Sequence, residues 1–517
     1  MVAPQQRIAS AFFVFCGQYG DVSRYAQERG VCRQWVYREA AWLKDFLTQQ
    51  QESERLRAEV RQLQQRQTEL EQRLAKAVVI DKEKQAELAS VGQARGVTLR
   101  DCRELLQVLI PGKVLSVASL GRRTRAAGKK AHELLTVLDE LARPLVRETA
   151  GDEIYVKDPV LMVVEPESLC WISGQLSEEV SGQAWAEQFG LLPNLEQVTR
   201  DGGKGLEKGV ALVNAERQQQ GKPPLVDQGD HFHALWGGRV GLRKAEMQTR
   251  KLVAEAERAQ EELAECDRQG QKQTGPAIRA SHAWKKAGKA MDTWQEQERA
   301  WQRAKEALRL FTPTGELNTR PQAEAALSEA LAQLPDAEFA KVKRQLQKPE
   351  MLNYLDRVQQ KIAALPFPNE VKQAAVRQEG LRRRPEALQG EGPQASALRG
   401  VMLMCAVVLG KTGEVGQQTV AAIKDVFRRA YRASSLIECI NSVLRMHQAG
   451  HRQMTQGLLD LKRLYWNCHR FSSGRRRKTT PYERLGLLLP EGLRWWDMLK
   501  LTPEQLRETL STAKIAA

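Results

Sequence analysis

The sequence predicts a mixed α/β module within a mostly α-helical, multidomain chain of 517 residues. Residues 148–236 contain short runs of β-branched and apolar residues bounded by turn residues, which is the pattern of strands. Most of the remaining chain is rich in Ala, Glu, Gln, Lys and Arg, with apolar residues at helical spacing. The predicted strands end on carboxylates, which indicates that these residues have a chemical role rather than a packing role.

Length, charge and cysteine usage limit the class of protein. A chain of 517 residues is too long for one core, so we expect two to four domains. The net charge of +16 and the pI of about 9.5 favour a nucleic-acid partner over a merely basic surface. Eight cysteines without a C-x-x-C pair indicate a reducing compartment. The longest apolar run, residues 401–409, is too short to cross a membrane, so we expect a cytoplasmic, nucleoid-associated protein.

Residues 1–48 are predicted to form a helix-turn-helix DNA-binding domain. Asp21 or Ser23 caps the first helix, Gly30 supplies the turn, and the second helix buries Val36. An ordinary helical hairpin is the alternative. The second helix would present four side chains to a DNA major groove: Arg33, Gln34, Tyr37 and Arg38.

Residues 49–96 are predicted to form a coiled coil. Apolar residues repeat at heptad spacing between flanks of Arg and Glu: Leu56, Val60, Leu63, Leu70 and Leu74. Gln67 in this seam weakens the pattern. We expect the coil to join two chains in a homodimer; packing within one chain and a solvated spacer helix are the alternatives.

Residues 97–147 are predicted to form a second helical DNA-binding unit. Thr98 caps its first helix and Ser116 begins the next. The first helix is expected to bury three leucines: Leu105, Leu106 and Leu109. Five cations lie on or near the second helix: Arg122, Arg123, Arg125, Lys129 and Lys130. They suit contacts with phosphates, with a solvated cationic face as the alternative, and two such units predict a long site on double-stranded DNA.

Changes in composition divide the rest of the chain. Residues 148–238 are the first part of the α/β core, and residues 239–423 are an all-helical insertion. Within the insertion, residues 401–409 are predicted to form a buried helix. Residues 424–490 are the final part of the core with a basic run, and residues 491–517 are a C-terminal tail.

The order of the predicted core elements is three strands, helix, strand, helix and strand. This is the order of an RNase H-like core with a mixed five-stranded sheet. That fold brings together carboxylates from the first strand, the end of the fourth strand and a later helix, and the matching residues are Asp152, Asp201 and Glu438. Carboxylates are the ligands that Mg²⁺ (or Mn²⁺) prefers, and two ions about 4 Å apart activate a nucleophile and stabilise a leaving oxygen.

Each catalytic assignment has an alternative. Glu165 competes with Asp152 as the first carboxylate, because it also ends a predicted strand. Asp201 is also compatible with a turn residue before a Gly-Gly pair. Glu438 is also compatible with a capping box closed with Ser435, since S-x-x-E is that signature.

Several segments between residues 148 and 490 carry a family resemblance: G-D-E-I-Y-V, V-T-R-D-G-G-K-G-L, D-H-F-H, S-S-L-I-E-C-I-N-S-V-L-R and the closing Y-W-N-C-H-R-F with R-R-K-T-T-P-Y-E-R-L-G. In this order they resemble a bacterial insertion-sequence transposase of the DDE type, with an RNase H-like catalytic core and a helical insertion. In Mutator-like and hAT relatives a D-x-x-H or C-x-x-H element follows the fifth strand. Asp230 and His233 match that element, in either a direct or a structural role.

The resemblance implies an enzyme that binds terminal inverted repeats, cleaves DNA at the element ends and joins the 3′-hydroxyls to target DNA, using Mg²⁺ or Mn²⁺. It also implies a homodimer or a larger synaptic assembly. Two other classes stay open. A non-catalytic DNA-binding protein, such as a decayed transposase, needs none of the three carboxylates. An RNase H-like nuclease without strand transfer has little need for two DNA-binding units.

Overall fold

The computed structural model describes residues 2–76, 80–110, 112–450 and 453–515. The chain divides into two compact units, Met1–Asp81 and Lys82–Ala517. The helices before the sheet are α1 (Pro4–Phe15), α2 (Asp21–Glu28), α3 (Arg33–Lys76), α4 (Lys82–Ala94), α5 (Leu99–Leu109) and α6 (Val117–Ala142). The sheet region contains β1 (Glu148–Val156), β2 (Asp158–Glu165), β3 (Cys170–Leu176), α7 (Gly182–Gly190), β4 (Gln197–Arg200), α8 (Lys204–Gln219) and β5 (Val226–Gly229).

Long helices follow the last strand. They are α9 (His231–Arg268), α10 (Thr274–Ala307), α11 (Arg320–Ala332), α12 (Asp336–Leu346), α13 (Asn353–Ala363), α14 (Asn369–Arg383), α15 (Pro393–Lys411) and α16 (Gly413–Arg428). The chain continues with α17 (Ile437–Gly450), α18 (Gln456–Cys468), α19 (Pro481–Leu485), α20 (Trp495–Met498) and α21 (Pro503–Ile515).

Helices α1, α2 and the start of α3 form the core of the first unit. Tyr25 and Val36 are buried there, and Gly30 makes the turn between α2 and α3 with a φ of 65°. The predicted cap of α2 at Asp21 or Ser23 is wrong. Gly20 occupies the N-cap position with a φ of 96°, a conformation that glycine adopts without strain.

Helix α3 continues without interruption for 44 residues, so the predicted recognition helix and the predicted coiled coil are one helix. Its sequence contains neither Gly nor Pro, and therefore nothing ends the helix near residue 48. Residues 77–79 and the side chain of Leu74 lie outside the described residues. Residues 82–94, which the heptad prediction also included, instead form α4 in the second unit, where Ala89 and Ala94 are fully buried.

Helices α5 and α6 also belong to the second unit rather than to a separate domain. Thr98 accepts a hydrogen bond from the Asp101 amide at 3.1 Å, and Ser116 accepts one from the Ser119 amide at 3.2 Å, so both predicted caps are present. The prediction for the α5 leucines is only partly right. Leu106 is 2% exposed, but two of its neighbours are more than half exposed: Leu105 and Leu109.

The five strands form one mixed sheet in the order β3-β2-β1-β4-β5. Strand β2 pairs antiparallel with both β1 and β3, whereas β4 pairs parallel with both β1 and β5. The prediction of a small mixed five-stranded sheet within a mostly helical chain is therefore confirmed.

Helices cover both faces of the sheet. Successive β1 side chains point to opposite faces, so neighbouring residues contact different helices. On one face, Gly151 meets Leu206 of α8 and Trp185 of α7, and a Cβ at this position would lie 2.9 Å from Leu206. On the other face, Ile154 belongs to a buried cluster with Ile440 of α17. The sheet thus lies between α7–α8 and α17.

The long helices between β5 and α17 have their own hydrophobic core, which includes Trp301, Phe339, Leu355 and Phe427. Helix α9 begins at His231, immediately after the last strand, and continues into this region without a break at residue 239. The sheet and the helical insertion are therefore joined by a continuous helix.

Helix α15 is less buried than predicted. Cys405 and Leu409 pack inward, but Leu403 is 67% and Met404 is 65% exposed, so the prediction of a buried helix at residues 401–409 is wrong. Among the described residues, α15 is the one helix that is long and apolar enough to cross a membrane. Of its most apolar 18-residue stretch, 11% is buried. A single such helix is weak evidence for a membrane span.

Candidate active site

Three acidic side chains lie where the pairing of β1 with β4 ends. The last paired residues are Gly151 and Arg200, so Asp152, Glu153 and Asp201 follow directly. Because β1 and β4 are parallel, these residues lie at the same edge of their shared ladder. The strand pairing itself thus brings residues 152 and 201 together.

Asp152 lies on the α17 face of the sheet and is 8% exposed. The side-chain amide of Asn441, in α17, donates a hydrogen bond to Asp152 Oδ2 at 3.0 Å. Glu153, the next residue, lies on the α8 face because strand side chains alternate. The cluster therefore extends over both faces of β1, at the point where its pairing with β4 ends.

Asp201 lies in the turn that leads from β4 into α8. Its Oδ1 accepts a hydrogen bond from the Gly203 amide at 2.8 Å. A Cβ at Gly203 would lie 2.9 Å from Asp201 Oδ1 and 3.5 Å from Glu153 Oε1. A side chain here would collide with the Asp201 carboxylate, so this glycine lets two carboxylates approach the start of α8.

Glu438 lies in the first turn of α17, one turn before Asn441. After burial and the charge of Asp201, the charge of Glu438 also raises the pKa of Asp152, so Glu438 lies within electrostatic reach of that carboxylate. Glu438 also forms an ion pair with Arg445, with an N–O distance of 2.7 Å. The structure therefore brings the three predicted carboxylates into one region, although 237 residues separate Asp201 from Glu438 in the sequence.

The crowding of negative charge perturbs two of these groups. Burial, followed by the charge of Asp201, raises the pKa of Asp152 to about 6. Burial and the same charge raise the pKa of Glu153 to about 7, with Asp152 adding to the effect. Such shifts show that the charged forms lack sufficient compensation, so protonation or a bound cation would stabilise the cluster.

Asp230 and His233 flank this cluster. Asp230 caps α9 by accepting from the Phe232 amide at 2.7 Å, and it accepts from the Ser434 hydroxyl at 2.6 Å. His233 Nδ1 lies 2.5 Å from Asp230 Oδ2, and this contact raises the pKa of His233 to about 9. The imidazolium in turn lowers the pKa of Asp152. Asp230 thus caps α9 and orients His233, whose positive charge lies within electrostatic reach of Asp152.

Glu165, the alternative first carboxylate, ends β2, which pairs with β1 on the side opposite to β4. Asp152 pairs with Met162, whereas Glu165 lies beyond the Ala150–Val164 pair. It accepts hydrogen bonds from the amides of Ser168 at 2.7 Å and Glu167 at 3.0 Å. The geometry therefore places Asp152, and not Glu165, next to Asp201.

The donor set fits a divalent cation. Glu153 Oε2 and Asn441 Oδ1 are buried with no hydrogen-bond partner among the described residues, and both are hard oxygen donors. In the part of the chain that the structure describes, no group of three or more His, Cys, Asp and Glu side chains is already arranged to hold a metal ion. Metal binding would thus require the carboxylates to converge.

An open groove of about 670 Å³ begins beside His233, between α9 and α10. Trp236 is 57% exposed in it. Its walls combine aromatic, cationic and acidic side chains: Phe232, Trp236, Trp294, Arg239, Arg243, Lys305, Glu246 and Glu298. The groove therefore offers the exposed aromatic face of Trp236 together with charges of both signs.

The predicted DNA-contacting side chains lie in both units. Those on α3 are exposed: Arg33, Gln34, Tyr37 and Arg38. Those on α6 are also exposed, except that Lys130 is half-buried: Arg122, Arg123, Arg125 and Lys129. The cationic residues follow one another along α6, the second of the two predicted helices of this segment.

Sequence reasoning missed Glu153, Ser434 and Trp236 as parts of this region. Glu153 could have been found from the sequence, since it is a second acidic residue directly after Asp152. Ser434 and Trp236 could not, because only the fold brings Ser434 to Asp230 and leaves Trp236 exposed.

Comparison with family models, with curated proteins and with solved structures finds no match to this chain.

Proposed function

We propose that this protein is a DDE-type transposase with an RNase H-like core. The observation that carries the proposal is the parallel pairing of β1 with β4, which brings Asp152 and Asp201 together. Helix α17 carries Glu438 to the same region, because Asn441, one turn later, donates a hydrogen bond to Asp152. The strand order β3-β2-β1-β4-β5, with three antiparallel strands followed by two parallel ones, supports this core. The helices α9–α16 between the second and third carboxylates support the resemblance to transposases with helical insertions.

The proposed chemistry is cleavage of a phosphodiester at the element end, followed by attack of the 3′-hydroxyl on target DNA. Bound Mg²⁺ or Mn²⁺ would supply activation of the nucleophile and stabilisation of the leaving oxygen. Asp152 and Asp201 would hold the cation from two adjacent strands. Glu438 would join them after release from Arg445, which then becomes free to meet a phosphate.

His233 has a separate role in this proposal. Its pKa of about 9 keeps it protonated at neutral pH, so it places a positive charge beside the anionic cluster. A DNA phosphate that approaches the carboxylates is repelled by them, and the imidazolium offsets part of that repulsion. Asp230 holds the ring in place through Nδ1.

Three features support DNA as the substrate. The net charge is +16, and the exposed cations of α3 and α6 suit phosphate and base contacts. The aromatic groove beside His233 suits stacking against bases that leave the duplex. Under this proposal the partners are the terminal inverted repeats and target DNA, and the protein works in the cytoplasm at the nucleoid.

The test measures binding and chemistry separately. The probe is a labelled duplex taken from the chromosomal sequence that flanks the gene and that the full chain retains in a gel shift. With Mg²⁺, the unmodified protein should cleave the probe and join it to a plasmid. Asp201→Asn should abolish both steps while it retains the gel shift, because the substitution removes a ligand charge and keeps the side-chain size. The matched control is Glu178→Gln, at an exposed carboxylate elsewhere in the second unit.

Each outcome decides between functions. Cleavage that persists in Asp201→Asn removes Asp201 from the active site and contradicts the proposal. Binding without cleavage by the unmodified protein favours a non-catalytic DNA-binding protein. Cleavage without joining favours an RNase H-like nuclease.

A further inference from the structure

Helix α3 exposes an apolar stripe that we call the α3 seam: Leu56, Val60, Leu63 and Leu70. These four side chains are between 51% and 59% exposed in the single chain. They follow one another at spacings of four, three and seven residues, which keeps them on one side of the helix. Exposed apolar residues scattered singly are ordinary, but a continuous row at heptad spacing is the pattern of a helix that packs on another helix.

The residue types along the α3 seam favour one arrangement of two helices. The leucines occupy position d of the heptad, and Val60 occupies position a. A β-branched residue at a with leucine at d favours a parallel, two-stranded coil. Gln67 occupies the next a position, where in a parallel pair it meets the Gln67 of the second helix. Ser53, seven residues before Val60, is a second polar residue at an a position. Polar pairs at a positions fix the register at some cost in stability.

The charges beside the α3 seam complement each other in that same arrangement. In a parallel coil, the residue at g lies beside the residue at e of the following heptad in the second helix. Glu52 at g would lie beside Arg57 of the other chain, and Arg66 would lie beside Glu71. Both pairs have opposite charges, and each occurs twice in a two-fold dimer.

We propose that the α3 seam binds a second copy of this chain, with two α3 helices forming a parallel, in-register coiled coil over residues 49–74. The identical stripe on the second copy covers the first, because a two-fold interface uses the same surface on both chains. Gln67 at present donates to Glu71 within its own helix at 2.9 Å, and the dimer would let it bond to its counterpart.

The dimer has a consequence for DNA that rests on the proposed function. The predicted recognition residues Arg33 and Arg38 lie on the same continuous helix as the α3 seam. Arg38 precedes Leu56 by about 27 Å along the helix axis. A parallel coil therefore places both recognition segments at the same end, where they can contact two halves of a two-fold symmetric site. Dimerisation itself is testable without DNA, so its failure is separate from a failure of the DNA proposal.

The first experiment measures the mass of the full chain by sedimentation equilibrium over a range of concentrations. The unmodified protein should be dimeric at micromolar concentration. Leu63→Asp should raise the dissociation constant at least about 100-fold, because it buries a charge in the seam. The control Gln65→Asp adds the same charge at position f, on the far side of the helix, and should leave the mass unchanged. A monomeric unmodified protein, or a dimer that persists in Leu63→Asp, overturns the proposal.

The second experiment tests orientation with charge reversal. Glu52→Arg and Arg57→Glu should each weaken self-association about tenfold, because each places like charges beside one another in its own homodimer. Mixed together, the two variants should form heterodimers, since both pairs then have opposite charges. Heterodimers are measured by energy transfer between differently labelled chains. An antiparallel coil places g beside g instead, so the absence of preferred heterodimers contradicts the parallel arrangement.

Discussion

The side-chain amide of Asn441 donates a hydrogen bond to the carboxylate of Asp152 at 3.0 Å, although 289 residues separate them in the chain. This bond connects α17 to the middle of β1 across the whole helical insertion. It lowers the pKa of Asp152, against the effect of burial. Because Glu438 lies one turn before Asn441 on the same helix, the bond also holds the third carboxylate beside the first two.

Asp152→Asn should stabilise the metal-free protein at high pH. The folded-state pKa of Asp152 is about 6, above its ordinary value of 3.8. Because the folded-state pKa exceeds the unfolded-state value, the free energy of unfolding falls as the pH rises from about 4 to about 6. It stays at this lower value at higher pH. Asparagine keeps the shape and removes the charge, so the free energy of unfolding should increase by roughly 3 kcal/mol at pH 8 and change little at pH 4.

The measurement is urea unfolding of the full chain in EDTA at both pH values, with Glu178→Gln as the control for an exposed carboxylate. A variant that is less stable than the unmodified protein at pH 8 would show that the Asp152 charge is compensated in the native state.

Mn²⁺ or Mg²⁺ should raise the melting temperature of the unmodified protein. The cation compensates the charges of Asp152, Glu153 and Asp201, and it binds the native state only. At 100 times the dissociation constant, binding should stabilise the native state by about 2.7 kcal/mol. The effect should fade below about pH 6, because the pKa values of about 6 and 7 mean that protons then compete for the ligand oxygens.

Differential scanning calorimetry with increasing Mn²⁺ measures this shift. The double variant Asp152→Asn/Asp201→Asn should lose it. An equal shift in the double variant would place the cation elsewhere on the molecule.

The Asp230–His233 pair should stabilise the second unit only up to mildly alkaline pH. The folded-state pKa of His233 is about 9, above its ordinary value of 6.5, because of the hydrogen bond to Asp230. A raised histidine pKa gives a contribution that is complete below pH 6.5 and is lost as the pH rises to 9. Asp230→Asn should therefore flatten the stability profile between these values.

Ser434→Ala is the matched control, because it removes the other side-chain hydrogen bond to Asp230 and keeps the charge pair. Stability is measured by urea unfolding at intervals between pH 6 and pH 9.5. An unchanged slope in Asp230→Asn would show that His233 is neutral in the folded protein.

Local patterns in the sequence predicted much of this architecture. The strands, the position of Asp201 directly after β4 and the Gly30 turn are each specified by a few neighbouring residues. The predicted helix boundary at residue 48 was wrong. The composition changes there, but the sequence contains no residue that ends a helix. The predicted burial of α15 was wrong because the apolar content of a helix does not tell which of its sides other helices cover.

The site was predictable in part for a related reason. Asp152 and Asp201 follow from the parallel pairing of β1 with β4, which the strand order implies. Glu153 lies on the opposite face of the same strand, and only the approach of Asp201 and Gly203 brings it into the cluster. The Ser434–Asp230 bond joins residues 204 positions apart, and no local pattern encodes such a contact.

Trp236→Ala should slow DNA cleavage more than it weakens duplex binding. Trp236 is exposed in the groove beside His233, where a base that leaves the duplex can stack on its ring. Stacking on one aromatic side chain contributes roughly 1–3 kcal/mol, so cleavage should slow about 10- to 100-fold. Trp236→Phe keeps an aromatic face and should retain most of the rate. Cleavage at the full rate by Trp236→Ala would exclude this groove from the reaction.

The exposed cations of α3 and α6 should contribute to DNA binding in different ways. Arg33 and Gln34 lie at the start of the proposed recognition helix, where side chains contact base edges. Arg33→Ala should therefore cost about 1–3 kcal/mol on the terminal repeat and much less on unrelated DNA. Arg122 and Arg123 lie on α6, where phosphate contacts carry no sequence preference.

Arg122→Ala/Arg123→Ala should weaken binding to every duplex by the same factor. It should also make the plot of log K against log salt less steep by about two units of slope, since two fewer counterions are released. Fluorescence anisotropy at several salt concentrations, on the terminal repeat and on a shuffled duplex, measures both quantities. The α6 variant should shift both duplexes in parallel, whereas Arg33→Ala should bring the two affinities together. If Arg33→Ala instead shifts both duplexes equally, α3 contacts phosphates alone, and sequence recognition must lie elsewhere in the chain.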